Sequence, residues 1–146
     1  MIVEILLAAA GTAGFAILFN APKRQLAYIA LTGSSGWAVL QLILMAMPES
    51  YITATLLGAM VVTFISRTLS AIHKMPATVY LVPGIIPLVP GVGIYNTMFY
   101  VVMGDNATAV HWGLRTAGIA GTIAVGLLIV LSLPVWLTSF GRIKRK

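Results

Sequence analysis

A run of prolines and glycines inside an apolar region is the part of this sequence best suited to chemistry. Residues 83–91 read Pro-Gly-Ile-Ile-Pro-Leu-Val-Pro-Gly. Each proline removes a backbone donor and clashes with the preceding turn, at a cost of about 3 kcal/mol in a helix interior. The residues before the prolines, Val82, Ile86 and Val89, are biased towards extended backbone. The pattern predicts a short helix, an unwound segment over 83–91 and a second short helix from about Val92.

The chemistry of such a segment would come from its backbone. Irregular backbone persists at membrane depth only where protein or a water-filled cavity surrounds it. A helix that begins there presents free N–H groups and the positive end of its dipole, which favour anionic groups. We therefore predict a binding site for a small anionic or zwitterionic solute, built from Pro83, Gly84, Pro87, Pro90, Gly91, Tyr95 and Asn96. Two alternatives stay open: a proline-rich interfacial loop without a ligand, and a plain kink.

Three polar side chains near the ends of apolar runs are weaker candidates. Arg67 and Asn20 are added to the predicted binding residues. The Arg67 guanidinium either reaches the lipid headgroups or faces the interior and pairs with a carboxylate. Asn20 either caps the first helix or contributes a polar group to a cavity. Arg115, one turn after His111, either sits in an interfacial helix or lines an outer vestibule, and we expect an interfacial turn that contains both residues before the fifth span.

The composition argues against several classes of function. The sequence has no cysteine, two histidines and three acidic residues. It therefore offers no thiolate nucleophile, no disulfide and no dedicated metal site. There is no buried acid pair, and no serine has a histidine at a plausible spacing, so we expect neither an enzyme nor a cofactor. The nine basic residues form short clusters rather than a face, which argues against a nucleic-acid partner.

The overall composition is that of a membrane protein. Hydrophobic residues make up 60% of the chain and charged residues 8%, whereas a soluble domain has roughly a quarter of its residues charged. The N-terminus lacks the basic region of a signal peptide, so we interpret it as a retained span. A crossing needs about 20 apolar residues. The sequence predicts one all-α transmembrane domain over 1–146, a helix bundle with about five spans: Ile2–Phe19, Leu26–Met47, Tyr51–Ile72 with Ser50 as N-cap, the broken Ala77–Met103, and Thr116–Thr138.

The charges between these spans predict an orientation. Eight of the nine basic residues fall on one side of a five-span arrangement, Arg115 being the exception. Since Lys and Arg are enriched on cytoplasmic flanks, we expect the N-terminus outside and the C-terminus in the cytoplasm of a bacterial inner membrane. Small residues line the spans, and in the last one Gly118, Thr122 and Gly126 share a face. Such faces let helices approach closely, either within this chain or against a partner.

Several of these segments together resemble a known family. They are Leu-Phe-Asn-Ala-Pro-Lys-Arg at 18–24, Pro76-Ala77, and the proline–glycine run at 83–91 followed by Tyr95. The chain is similar to the threonine/serine exporters, in their small-subunit type, which matches the C-terminal membrane half of single-chain members. The proline–glycine run is the specific part of this resemblance.

The resemblance implies a function and a partner. It implies a subunit of a secondary transporter that exports serine- or threonine-type amino acids, or dicarboxylates such as succinate. A larger membrane subunit of the same family would complete it and would carry any proton-relay carboxylate. Self-association stays open. The alternative function is a non-transporting scaffold or channel-like subunit whose unwound stretch only shapes a pore or an interface.

Overall fold

The computed structural model describes residues 1–134 and shows a bundle of helices. Within that range there is no strand, so the predicted all-α class is confirmed. Two short 3₁₀ helices, Lys23–Gln25 and Ile86–Leu88, accompany the main elements. The α-helices are α1 (Ile2–Leu18), α2 (Leu26–Ala46), α3 (Tyr51–His73), α4 (Thr78–Ile85), α5 (Gly91–Val102) and α6 (Asn106–Ser132).

Three of the described helices are long and apolar enough to cross a membrane: Lys23–Ala46, Tyr51–His73 and Asn106–Ser132. A fourth span results if Thr78–Leu88 and Gly91–Val102, which are bent by 54°, form one broken crossing. Helix α1 is apolar but only 17 residues long. Large apolar side chains are exposed on all six helices, as expected for surfaces that face lipid or a partner. Five crossings remain a prediction, and the predicted cytoplasmic residues 142–146 lie outside the described range.

The break in the fourth apolar region is much shorter than predicted. Helix α4 continues through Pro83 to Ile85, and the 3₁₀ helix follows directly. The expectation of extended backbone at Val82 and Ile86 was wrong, since Val82 lies in α4 and Ile86 has φ −55° and ψ −42°. Only Val89 is extended, with ψ 132°. Helix α5 then begins at Gly91, so the unwound part is Val89 and Pro90 rather than 83–91.

The position of each proline explains this difference. Pro87 lies in the first turn of the 3₁₀ helix, where backbone donors have no helical partner in any case. Pro83 is inside α4, and local 3₁₀ adjustment is one way in which membrane helices accommodate proline. At Pro90, by contrast, the preceding residue is extended and the helix direction changes. Close tertiary packing of the segment 78–88 outweighs the local cost of its two prolines.

Helix α6 also differs from the predicted span. It is a continuous helix from Asn106, so the expected interfacial turn around His111 and Arg115 was wrong. The Asp105 carboxylate caps the helix by accepting a hydrogen bond from the Thr108 N–H at 3.1 Å. Hydrogen bonds from the side chain and backbone of Thr108 hold the pKa of Asp105 below its ordinary value. The helix ends at Ser132, because the residue before Pro134 is extended, and the predicted end of the span at Thr138 lies outside the described residues.

The core of the bundle is a groove of small residues between α2 and α3 that receives the segment 78–88. A Cβ added at Gly84 would lie 3.0 Å from Thr32 Cγ2 and 3.3 Å from Val62 Cγ1. Leu88 is 2% exposed and packs over Gly36 and Gly58, whose added Cβ atoms would lie 3.5 and 3.4 Å from its methyl groups. Of the small residues that the sequence singled out, Gly33, Gly36 and Gly126 pack against neighbouring helices of this chain, whereas a Cβ added at Gly118 or Gly121 would meet no atom within 4 Å.

The buried threonine and serine hydroxyl groups bond within their own helices, whereas the hydroxyl of Tyr80 donates to the Gln25 side chain at 2.9 Å. Thr63 and Ser66 donate to the carbonyls of Ala59 and Val62, four residues earlier, each at 2.7 Å. Thr12, Thr32 and Thr55 donate to carbonyls four residues earlier in the same way. Because a buried hydroxyl without a partner is costly in lipid, this pattern lets polar residues line the helix contacts.

Candidate functional site

Two clefts flank the segment that joins α4 to α5. The first, which we call the arginine cleft, encloses about 450 Å³. The predicted binding residues Pro87, Pro90 and Gly91 lie in its wall. Its further lining residues come from α2, α3, α5 and α6: Trp37, Tyr51, Val89, Val92, Gly93, Trp112, Arg115, Thr116 and Ile119. Because Tyr51 begins α3 and Arg115 lies in the first half of α6, the cleft lies towards the end of the bundle opposite Lys23 and Lys74.

The N-terminus of α5 supplies unpaired backbone donors to this cleft. Pro90, at the N-cap, has no N–H, and the Gly91 N–H bonds to the Val89 carbonyl at 2.8 Å. The first N–H to reach back by one helical turn is that of Ile94, which bonds to the Pro90 carbonyl. The N–H groups of Val92 and Gly93 therefore have no acceptor among residues 1–134. Two free donors and the positive end of the helix dipole thus lie in the cleft wall.

Arg115 is the charged residue of the cleft. Its guanidinium carbon lies 5.7 Å from the centre of the Trp112 ring, within the range of a cation–π contact. It has no hydrogen-bond or ion-pair partner in the described part of the chain, and no carboxylate is among the lining residues. The arrangement leaves the planar donor edge of the guanidinium available to a group from solution.

Trp37 lies beside these donors but does not add to them. It lies near the middle of α2 and belongs to the cleft wall. Its indole N–H is buried and has no hydrogen-bond partner within the described residues. A buried indole N–H normally finds a partner, because an unmade hydrogen bond costs about 1–3 kcal/mol. Since the nitrogen has almost no accessible surface, it does not face the open volume of the cleft.

The second cleft, which we call the asparagine cleft, encloses about 310 Å³ at the end of the bundle that carries Lys23. It lies between the 19–22 loop and one face of α4, and Asn20 and Pro83 both line it. Asn20 also ends α1: at φ 56° it is left-handed, and the Ala21 N–H bonds to the Ala16 carbonyl at 2.9 Å. This pattern is a helix C-cap of the Schellman type, so both predicted roles of Asn20 are compatible with the structure.

Arg67 lies in neither cleft. Its guanidinium donates to the carbonyls of Val130 and Leu133, the latter at 2.9 Å. These carbonyls end α6, where a cation also interacts favourably with the helix dipole. The contact is neither of the two that the sequence predicted, since the side chain joins α3 to α6 instead of meeting headgroups or a carboxylate. Its position indicates a structural role.

The remaining predicted residues are not brought together. Gly84 is buried in the groove between α2 and α3. Tyr95 is 66% exposed and stacks on Phe99, and neither Tyr95 nor Asn96 lines a cleft. The predicted set is therefore divided among two clefts, the core and the surface of α5.

Sequence reasoning missed most of the side chains that make the arginine cleft polar. Trp37, Tyr51, Trp112 and Thr116 were not predicted, and Arg115 was left between two readings. The signal that could have identified Arg115 is the length of α6 as one continuous helix. A 27-residue helix is about 40 Å long and exceeds a hydrocarbon core of about 30 Å. If it is centred, Arg115 lies about 8 Å inside that core, where an ionisable residue is a functional candidate by default.

The polar groups of the arginine cleft include several hydrogen-bond donors. The cleft combines a guanidinium with two free backbone N–H groups. Its described lining contains no carboxylate, and no group of three potential metal ligands occurs within residues 1–134. Such a set of donors is complementary to a carboxylate or a similar anion.

A comparison with protein families agrees with this chemistry. The family model described as "Threonine/Serine exporter, ThrE" matches residues 4–133, a range that includes nearly all of the six helices. No match was found among curated proteins or among solved structures. The chain therefore belongs to the threonine/serine exporter family.

Proposed function

We propose that this exporter-family protein is the small subunit of a secondary transporter that moves carboxylate-bearing metabolites out of the cell. The solutes would be serine- or threonine-type amino acids, or dicarboxylates such as succinate. The single observation that supports this most strongly is the break at Val89 and Pro90. It leaves the N–H groups of Val92 and Gly93 unpaired in the wall of a cleft that also holds Arg115.

A larger membrane subunit of the same family completes the transporter in this proposal. The described helices contain one acidic residue, Glu4, which lies in the first turn of α1. A proton-coupled exporter would therefore take its relay carboxylate from the partner. Gly118 and Gly121 support a partner surface on α6, because a Cβ added at either would meet no atom within 4 Å. The complex would lie in the bacterial inner membrane, with the N-terminus of this chain outside and its C-terminus in the cytoplasm.

Closing the helix break tests the function. Replacing Pro87, Pro90 and Gly91 together with alanine restores helix-forming residues and lets α4 and α5 join. The free N–H groups would then bond within the helix, so export of labelled serine and succinate should fall at least tenfold, or about 1.4 kcal/mol. The measurement is efflux from preloaded cells that express the chain together with a larger exporter subunit.

Two controls complete this experiment. Pro48→Ala changes a proline of the α2–α3 loop that lines neither cleft and should leave efflux unchanged. The chain expressed without the larger subunit should not raise efflux above background. Normal export by the triple variant at normal protein levels would contradict the carboxylate-binding role and favour a scaffold or channel-like subunit. Full export by this chain alone would contradict the two-subunit arrangement.

A further inference from the structure

We infer that Arg115, with the free backbone N–H groups of Val92 and Gly93, binds the carboxylate of the solute directly in the arginine cleft. This inference rests on the proposed function for the identity of the solute, and it names residues that the family match does not. It follows from the two arginines that lie within helices. The guanidinium of Arg67 donates hydrogen bonds to carbonyls at the end of α6, whereas that of Arg115 has no hydrogen-bond or ion-pair partner in residues 1–134.

Arg115 is exposed and at the same time lines the arginine cleft. An arginine that serves only the headgroups extends along lipid-facing surface to the interface. The guanidinium carbon of Arg115 instead lies 5.7 Å from the centre of the Trp112 ring, another residue of the cleft. A guanidinium that no other group engages can make a bidentate contact with a carboxylate.

The donors of the cleft are complementary to one carboxylate group. A carboxylate has two oxygens with about four acceptor sites. Arg115 supplies two donors in a fork and the N-terminus of α5 two more, through Val92 and Gly93. All three residues line the same cleft. No acidic side chain competes for these donors among the described lining residues, so the site distinguishes a carboxylate from a neutral or cationic group.

A close contact between Gly93 and Thr116 sets the distance between α5 and α6. A Cβ added at Gly93 would lie 2.3 Å from Thr116 Oγ1, so only glycine permits this approach of α5 to α6. Thr116 follows Arg115 directly, and its hydroxyl donates to the Trp112 carbonyl at 2.7 Å. The close contact therefore places the free donors of α5 beside the helical turn that carries the guanidinium.

Binding to the purified chain tests the inference separately from transport. In lipid-free detergent, with Trp136→Phe removing a tryptophan outside the described region, succinate or serine should change the fluorescence of Trp37 and Trp112 in a saturable way. Arg115→Gln should weaken this binding at least tenfold and Arg115→Lys less, because lysine keeps the charge but loses the fork. Arg24→Gln, on the loop before α2, should change nothing.

The same variants are then measured in transport. With the larger subunit present, Arg115→Gln should raise the KM for serine and succinate efflux at least tenfold at normal protein levels. If the wild-type chain binds these solutes but exports neither, the proposed function fails while the inference stands. If the wild-type chain exports and Arg115→Gln does so with an unchanged KM, the inference is overturned. It is also overturned if anionic phospholipid, but neither solute, changes the fluorescence.

Discussion

The two halves of the broken span are both apolar but have opposite environments. In α4 the residues Tyr80, Leu81, Pro83 and Gly84 are buried, and Leu88 of the following 3₁₀ helix is buried as well. In α5 no residue is buried, and Val92 and Val102 are 72% and 81% exposed. The first half packs against α1, α2 and α3, whereas the second packs mainly against α6.

Under the proposed function, this difference separates a structural half from a binding half. The half with two internal prolines is the better packed, so its irregular sequence is compensated by its neighbours. The half that begins after Pro90 has the more regular sequence but provides the unpaired N–H groups. Regions that bind ligands or move tend to have few buried apolar contacts, and α5 has this property. We expect substitutions in the first half to affect folding and those at the start of the second half to affect transport.

The largest expected contrast is between two glycines, one in each half. Gly84→Leu would place a branched side chain where even a Cβ lies 3.0 Å from Thr32. Such overpacking costs about 3 kcal/mol or more in a tight site, so this variant should lose most of its monodisperse protein in detergent. A Cβ added at Gly91 meets no atom within 4 Å, so Gly91→Leu should fold normally. Because its side chain would enter the arginine cleft, efflux should still fall at least tenfold. A well-folded Gly84→Leu protein would contradict the comparison.

A smaller effect is expected at Arg67, which joins α3 to the end of α6. Arg67→Gln removes two charge-assisted hydrogen bonds to α6 carbonyls. At about 1.5–3 kcal/mol for a hydrogen bond to a charged group, it should lower stability in detergent by about 2 kcal/mol. The apparent KM for efflux should stay within twofold of wild type, in contrast to Arg115→Gln. Thermal unfolding and efflux measured on the same preparations decide this, and a tenfold rise in KM would place Arg67 in the binding half.

The smallest effect is expected when the first half is fixed covalently. The sequence has no cysteine, so Thr32→Cys with Gly84→Cys introduces the only pair. An added Cβ at Gly84 lies 3.5 Å from Thr32 Cβ, within the range for a disulfide. Oxidation should cross-link α2 to α4 and leave efflux within twofold. If oxidation abolishes efflux and reduction restores it, the first half moves during transport and is not a fixed support.

Much of the fold could be predicted because apolar runs and prolines mark the ends of helices. The predicted bounds of the first three spans agree with α1, α2 and α3 to within a residue or so, since Pro22 and Pro48 follow the first two. The extent of the break could not be predicted. Whether Pro83 interrupts a helix depends on how closely Gly84 packs against Thr32 and Val62, and these contacts join residues far apart in the sequence.

The candidate site was predicted only in part, for the same reason. Pro87, Pro90 and Gly91 could be identified because their backbone effect is local. Whether Arg115 lies in a cleft depends on Trp37 and on the start of α5. These residues line the cleft with it and come from distant parts of the chain. Polar residues near the start of α6 suggested a turn, whereas the structure shows a continuous helix capped by Asp105. A polar residue within a helix is equally consistent with an interface and with a cavity until its neighbours are known.

The hydroxyl groups that bond within their own helices have a consequence for transport itself. Since Thr32, Thr63 and Ser66 donate to carbonyls of the same helix, these buried polar groups form no hydrogen bonds between helices. Small sliding movements of packed helices are one way in which proteins change conformation. Here such shear would exchange one van der Waals contact for another without breaking these hydrogen bonds. Within residues 1–134, the side-chain hydrogen bonds that would resist such a movement are instead the few that join different elements, from Arg67 to α6, from Tyr80 to Gln25 and from Gln41 to Glu4.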